Sequence, residues 1–463
     1  MRRRRRRTRS GLGAYAVAAI IGGALILFLA LRTLVFIDST TGGLNPFSFL
    51  QTEVAPAQGS IAWKLRNHQP VNLLLLGRGG AENDSPDLTD TILVATLDPV
   101  SNRVLLGSVP RDIWLPIDAT GSSRYENKIN VAYAIGTGAE KVTGTRLPEY
   151  TGTDGGGHLS EAVVSQVTGV RFDGYATIDF RAFRKVVDTL GGVDVCLDGP
   201  LDDNQYPDYH DGYVPGGIHF KAGCQHVNGE QALQLARSRH ATEPAQATDF
   251  GRAHRQQLLL DAIRKKATSA GGLTKMLPLM SALQGDTRTD LKLGDLTAIY
   301  QWSRGNPKTV HASLTNVNFL SEYWTAVWGL RGCGPPDAYV LCPIDPTWGT
   351  VHQFFASALI DPRVPAEKAP VTLATAAPDA EMAPRLKDAL GQLGLQLQEP
   401  VAYRYSAKTV VYDYTGGRYP LTARWLAGYF KAEVVPGPAS AGSQEGLVVA
   451  LGYDYLQRWT GRG

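Results

Sequence analysis

Cysteine is scarce in this chain of 463 residues, with four in total, and none lies in a C-x-x-C pair or at Cys/His zinc spacing. That argues against a structural zinc site. Four cysteines do fit an oxidising compartment. Cys196 and Cys224 flank one acidic loop, and Cys333 and Cys342 flank a Gly-Pro-Pro turn. Of the three possible pairings, the local one (196–224 and 333–342) is the expectation. No G-x-S-x-G elbow occurs, which argues against a serine hydrolase of that type. His210, His219, His226, His240 and His254 form no zinc pattern and read as surface histidines. A general basic surface is missing too. The net charge is +3, but Arg2–Arg7 and Arg9 supply seven positive charges, so the remainder carries −4. The body is therefore not a general polyanion binder and shows no recognised nucleic-acid motif, so nucleic acid is not an expected partner.

The long apolar run is at the front. Gly11 to Leu31 is uncharged throughout, long enough to cross a bilayer as a helix. The arginines before it place the N-terminus in the cytoplasm by the positive-inside rule, with everything after it outside. A cleaved signal peptide would have a shorter apolar region and a small-x-small site, and no persuasive one precedes Arg32. The expected organisation is a basic cytoplasmic tail (1–10), a transmembrane helix (11–37) and an extracytoplasmic spacer (38–69). A main domain (70–360), a Pro-bearing linker (361–370) and a small second domain (371–456) follow.

Within the main domain, V-N-L-L-L-L from Val71 is an apolar run of buried-strand type, ending at G-R-G-G. Strands at Thr91–Leu97 and Arg103–Ser108 follow, then helical patterns near Ile129–Ile135, Leu159–Thr168 and Phe180–Leu190. Further strands fit Gly174–Ile178 and Gly192–Leu197. Helices are expected at Leu273–Leu283 and Asp290–Trp302, with a strand near Thr309–Leu314. The alternation predicts an α/β domain whose mixed central sheet is covered by helices on both faces. Strand-then-helix order recurs after Val371, which predicts a small C-terminal α/β domain.

The densest chemistry lies between Ala236 and Gln257, where Arg237, Arg239, Arg252 and Arg255 fall within nineteen residues around Asp249. Arg237 and Arg239 are two apart, so on one helix they would point to nearly opposite sides. Both face one ligand only if the helix ends near Arg237 and the chain extends. Asp249 and Arg252 share a face at the start of the next helix. Such a fork opposite a helix N-terminus suits phosphate oxygens. A solvated basic helix is the plain alternative.

Several separated segments then occur in a telling order: L-L-L-L-G, L-T-D-T-I-L, S-V-P-R-D, N-K-I-N-V-A-Y-A, T-I-D-F-R-A-F-R-K-V-V-D-T-L-G-G-V-D-V, and A-R-S-R…D-F-G-R-A-H-R-Q-Q. Over roughly residues 70–360 the chain resembles the LytR–CpsA–Psr family of wall-polymer ligases. Residues 371–455 resemble, more weakly, the small C-terminal domain often attached to them. The resemblance implies a phosphotransferase that moves a glycopolymer from a polyprenyl-pyrophosphate carrier to a sugar hydroxyl of peptidoglycan or another wall polymer. It also implies a lipid tunnel and a divalent metal, Mg2+ (or Mn2+).

Residue by residue, the resemblance makes Asp90 a metal ligand, where a strand-capping aspartate is the alternative. It makes Arg111, Lys128, Arg237, Arg239 and Arg252 pyrophosphate contacts and Asp249 the base or orienter for the attacking hydroxyl. Asp112 either orients Arg111 or is a surface charge, and Lys128 read alone could be a helix-start lysine facing solvent. Arg255 and Gln256 read as supporting or salt-bridging residues. Two departures stand out. Gly79 occupies the place of a family aspartate, and Leu88 that of a family arginine. Arg78 could restore the charge, and Asp84 or Asp87 the carboxylate. Leu258–Leu260 and Val186–Val187 could line a tunnel or form plain core. Water as acceptor would make the chain a pyrophosphatase, and loss of the two family residues would suit a non-catalytic wall- or lipid-binding protein.

Overall fold

The computed structural model describes residues 56–461, apart from 82–84, 122–124, 209–211, most of 248–286, 304, 306, 323–332, 336–337, 377–380 and 438–445. The apolar run 11–31 and the helix expected at 273–283 lie outside the described residues. Among those described, no helix is long and apolar enough to cross a membrane.

The main sheet has six strands. β1 (Val71–Arg78), β2 (Thr89–Asp98) and β3 (Arg103–Val109) form an antiparallel meander. β6 (Gly174–Asp179) lies parallel to β1, and the short edge strand β11 (Thr287–Thr289) runs antiparallel to β6. β12 (Lys308–Ser313) lies parallel to β3 at the other edge. The order is therefore β11-β6-β1-β2-β3-β12, a mixed sheet.

Both faces are covered. Side chains alternate along a strand, so Leu74 and Leu76 point to one face and Val71, Leu73 and Leu75 to the other. The first face packs on α2 (Ala132–Thr137), α3 (Gly155–Thr168) and α8 (Gly349–Ser357), through Ile135, Leu159, Val163, Val351 and Phe354. The second packs on α1 (Ile61–Arg66) and α7 (Leu293–Ser303), through Ile61, Leu65 and Ile299. Burial on both sides is why β1 reads as a continuous apolar run.

A satellite core flanks this sheet. α4 (Phe180–Thr189) and α5 (Gly229–Arg237) pack over a ribbon of β7 (Val193–Leu197) with β10 (Gly223–Val227) and a second of β8 (Leu201–Asp203) with β9 (Ile218–Phe220). Val186, Val187 and Leu259 are buried within it. Cys196 and Cys224 are directly opposed in the β7/β10 register and form one disulfide. Cys333 and Cys342 form the other. The local pairing is thus present.

The stretch expected as a linker holds a one-turn helix, α9 (Arg363–Ala366), with Val364 buried. β15 (Pro370–Thr375) opens the C-terminal unit. β16 (Gln396–Leu397), β18 (Val410–Asp413), β19 (Glu433–Pro436) and β20 (Leu447–Ala450) complete the sheet order β16-β15-β20-β18-β19. β17 (Val401–Ala402) also pairs with β15. Helices α10 (Met382–Gln392), α11 (Pro420–Phe430) and α12 (Tyr453–Trp459) cover it. This unit shares one apolar core with the main domain, with Trp459 against Phe319 and Leu386 and Phe430 in the same cluster as Phe354. Arg385 of α10 donates to the carbonyls of Asn316, Asn318 and Leu320 across the junction.

Candidate phosphate site at one end of the sheet

Strand polarity gathers the candidate residues. β1, β3 and β6 all finish at the end of the sheet where β2 begins, because β2 is antiparallel to its neighbours and β6 parallel to β1. Arg78 therefore lies between Thr89 of β2 and Asp179 of β6 in register. Asp90 follows Thr89, and Arg111 and Asp112 follow the end of β3.

Four of these side chains form a chain of opposite charges. Arg111 pairs with Asp90 through Nη1, and its Nε lies 3.5 Å from Asp112 Oδ2. Asp112 Oδ1 accepts from Lys128 Nζ at 2.6 Å. Lys128 ends the hairpin of β4 (Trp114–Ile117) and β5 (Tyr125–Lys128), directly opposite Trp114. That register brings it back beside Asp112, which thus orients both cations. Burial works against the Arg111 charge, but Asp90 and Asp112 outweigh it and raise its pKa further. Arg111 stays a cation.

The second group surrounds Arg78, whose guanidinium lies 3.5 Å from Asp87 and 3.7 Å from Asp179, with the Tyr133 ring 5.9 Å away. Asp87 also accepts from Thr137 Oγ1 at 3.0 Å. The positions that depart from the family pattern sit here. Gly79 is buried directly after β1, and its neighbour Gly80 has φ +76° and donates to Pro86 O, where a Cβ would come within 2.7 Å of Asp179. Leu88 packs against the core. Asp179, quoted above within T-I-D-F but not singled out, caps α4 through Ala182 N at 2.8 Å. An aspartate at a strand-to-helix step was the available signal.

The third group is carried by the residue after Asp179. Arg237 lies 4.5 Å above the Phe180 ring and 5.6 Å from the Tyr206 ring, so it faces the same end of the sheet. A capping box of Asn228 and Gln231 starts α5, and the helix stops at Arg237 with Ser238 at φ −52°, ψ 134°. That is the helix end the two-residue spacing of Arg237 and Arg239 requires. Buried Asp203 holds the extension, accepting from Ser238 Oγ at 2.7 Å, Arg239 N at 3.3 Å and His240 N at 3.2 Å. Burial pushes its carboxyl up, but the hydrogen bonds outweigh burial and hold it below the usual range. Asp203→Asn should lower stability by about 2 kcal/mol at neutral pH, the scale of hydrogen bonds to a charged group. With a depressed folded pKa, that advantage is present above the unfolded pKa near 3.9 and is lost as pH falls through the lower folded value. Melting temperatures of both proteins should begin to converge as pH falls below about 4.

Arg255, read above as supporting or salt-bridging, is fully buried. Its Nε donates to Leu235 O at 2.9 Å, Nη1 to Gln246 O at 2.7 Å and Oε1 at 2.9 Å, and Nη2 to Ser238 O at 2.5 Å. Asp84, Asp249, Arg252 and Gln256 lie outside the described residues. Asp90 and Asp87 belong to no group of three metal-ligating side chains among the described residues.

Known proteins bear on this arrangement. Over 232 residues the chain is 31% identical to a Bacillus cereus (strain AH820) protein named polyisoprenyl-teichoic acid–peptidoglycan teichoic acid transferase TagU, covering 50% of this chain and 64% of that one. It is 30% identical over 236 residues to Bacillus subtilis (strain 168) TagV, named with the same activity, covering 50% and 53%. The chain thus spans less than two thirds of these relatives. The crystal structure of B. subtilis TagV aligns with TM-score 0.44 and 24% identity over 63% of this chain and 97% of that one. The model of the LytR_cpsA_psr family matches residues 48–330, more than half of the chain, and the protein belongs to that family.

Proposed function

We propose that the protein is a cell-wall glycopolymer transferase, moving a glycan from a polyprenyl-pyrophosphate carrier to a sugar hydroxyl of peptidoglycan or another wall polymer. The observation that carries this is the placement of Arg78, Asp90, Arg111, Lys128 and Arg237 around one end of the sheet, in a chain of this family. The relatives' names, which couple polyisoprenyl-linked teichoic acid to peptidoglycan, support the same reading.

In the proposed reaction the acceptor hydroxyl oxygen attacks the phosphorus that carries the glycan. The bond from that phosphorus to the bridging pyrophosphate oxygen breaks. Polyprenyl phosphate leaves, the hydroxyl proton passes to a carboxylate, and a phosphodiester remains. Arg111 and Arg237 hold the phosphate oxygens and offset the charge that grows on them. Asp249 is the proposed proton acceptor.

The donor set fits Mg2+ (or Mn2+) held together with the substrate. Asp90 is a hard, partly exposed carboxylate, and Mg2+ is commonly held by one or two carboxylates plus phosphate oxygens and water. Asp90 would hold the ion, with Asp84 or Asp87 as the nearby acids, and the ion would neutralise phosphate charge. We place the N-terminus in the cytoplasm, a single-pass anchor in the cytoplasmic membrane and the main domains outside, an orientation the two disulfides support.

The test is turnover of a polyprenyl-pyrophosphate-linked glycan by the purified full chain with wall fragments as acceptor. Phosphodiester-linked glycan on the wall, lost in Asp90→Asn and Arg237→Ala, is the expected result. Polyprenyl phosphate released with no glycan on the wall would mean hydrolysis. Binding without turnover would mean a carrier- or wall-binding protein.

A further inference from the structure

A second cluster lies at the opposite end of β6, about 13 Å along the strand from Asp179. His158 and Glu161 are three apart on α3 and share a face. Asp290 follows the edge strand β11, beside Tyr175. One ring nitrogen of His158 and one carboxylate oxygen from each acid lie within 4.8 Å of one another. We propose that His158, Glu161 and Asp290 form a binding site for a divalent ion of the Zn2+ class, clamping the edge strand to helix α3.

The donors are already oriented. His158 Nδ1 lies 3.2 Å from the Glu149 carbonyl. A carbonyl only accepts, so Nδ1 carries the proton and, in the neutral ring, Nε2 turns a lone pair toward Asp290 Oδ2, 3.7 Å away. That is too long for a hydrogen bond. Donors sharing a tetrahedral ion at 2.0–2.2 Å lie roughly 3.4 Å apart, so this pair needs only a small closure. A ligand histidine whose other nitrogen donates to a carbonyl is the usual supporting arrangement. Tyr175 packs edge-on against the imidazole at 6.0 Å, and its backbone N–H fixes Asp290 Oδ1 at 2.9 Å.

Among the described residues no lysine or arginine pairs with Glu161 or Asp290. Glu161 Oε1 is buried and has no hydrogen-bond partner among the described residues. Lys64, a nearby cation, is paired with Asp173. An ion reaching His158 and Asp290 from solvent would satisfy the acids together. The single nitrogen among oxygens selects Zn2+ or a similar transition ion over Mg2+.

Calorimetric titration of the chelator-treated full chain with Zn2+ tests this. One saturable equivalent is expected, together with a higher melting temperature. His158→Ala and Glu161→Gln should each weaken uptake more than about tenfold, while His226→Ala, at an exposed His–Asp pair on β10, should not. Glu161→Gln keeps the side-chain shape and removes the carboxylate the ion needs, so its metal-free melting temperature should stay close to the parent's. No saturable uptake, uptake that survives both ligand substitutions, or Mg2+ binding here as tightly as Zn2+ would overturn the assignment.

Discussion

Arg111→Ala is expected to lower glycan transfer by about 10²–10³-fold, the usual cost of removing one preorganised donor to developing charge. The melting temperature should hardly move. Arg111 and Asp90 are each about one third exposed, and pairs so accessible to water contribute about 1 kcal/mol or less. Function is more sensitive because of where the guanidinium sits. Truncation leaves Asp90 and Asp112 facing each other without the cation between them, turning a charge-balanced cluster into one that repels phosphate. Lys128 remains on Asp112 but does not touch Asp90. Arg111→Lys should recover little, since an ammonium on that stem is a point charge and cannot reproduce the fork that spans both acids. Comparing transfer rates and melting curves of the three proteins checks this. A fall in activity matched by an equal loss of folded protein would contradict it.

The contrast between cation types also explains which parts of the molecule were readable in advance. The β1–β3 meander was legible because two buried faces leave a continuous apolar signature and Asp98-Pro-Val-Ser-Asn marks the turn. At α5 the reading was conditional: two arginines two apart could face one ligand only if the helix ended near Arg237, and Ser238 does leave the helix. Legibility failed where the deciding partner is remote. Asp203 lies 35 residues before Ser238, and nothing near it announces that it fastens the segment after α5. Arg78 and Asp179 meet only because β6 inserts parallel to β1 after a hundred intervening residues. The stretch 361–370 read as a linker from its prolines, yet Val364 is drawn into a core common to both units. His158, Glu161 and Asp290 escaped a search for cysteine and histidine spacing because two of the three donors are carboxylates.

Arg255, read as a supporting or salt-bridging residue, carries the second large prediction. A guanidinium has five donors in a rigid fork, which suits carbonyls at the end of a helix. Here it satisfies the carbonyls of Leu235, Ser238 and Gln246 and the Gln246 side chain, closing the loop between α5 and α6 (Pro244–Ala247). Arg255→Ala would leave a cavity and several acceptors without that donor, each costing about 1–3 kcal/mol when buried. A net loss of about 3–5 kcal/mol follows once relaxation and water entry are allowed. For a domain of this size that lowers the melting temperature by roughly 6–10 °C. Transfer should fall by about 100-fold even where the protein remains folded, because Arg237 and Arg239 are held by this segment and a displacement near 1 Å has that effect. Arg255→Lys should fail similarly, since one ammonium cannot reach acceptors on three sides. Scanning calorimetry separates this from Arg111→Ala: one substitution should lose activity with stability intact, the other should lose both. An unchanged melting temperature for Arg255→Ala would mean that the segment carrying the arginines is held by something else.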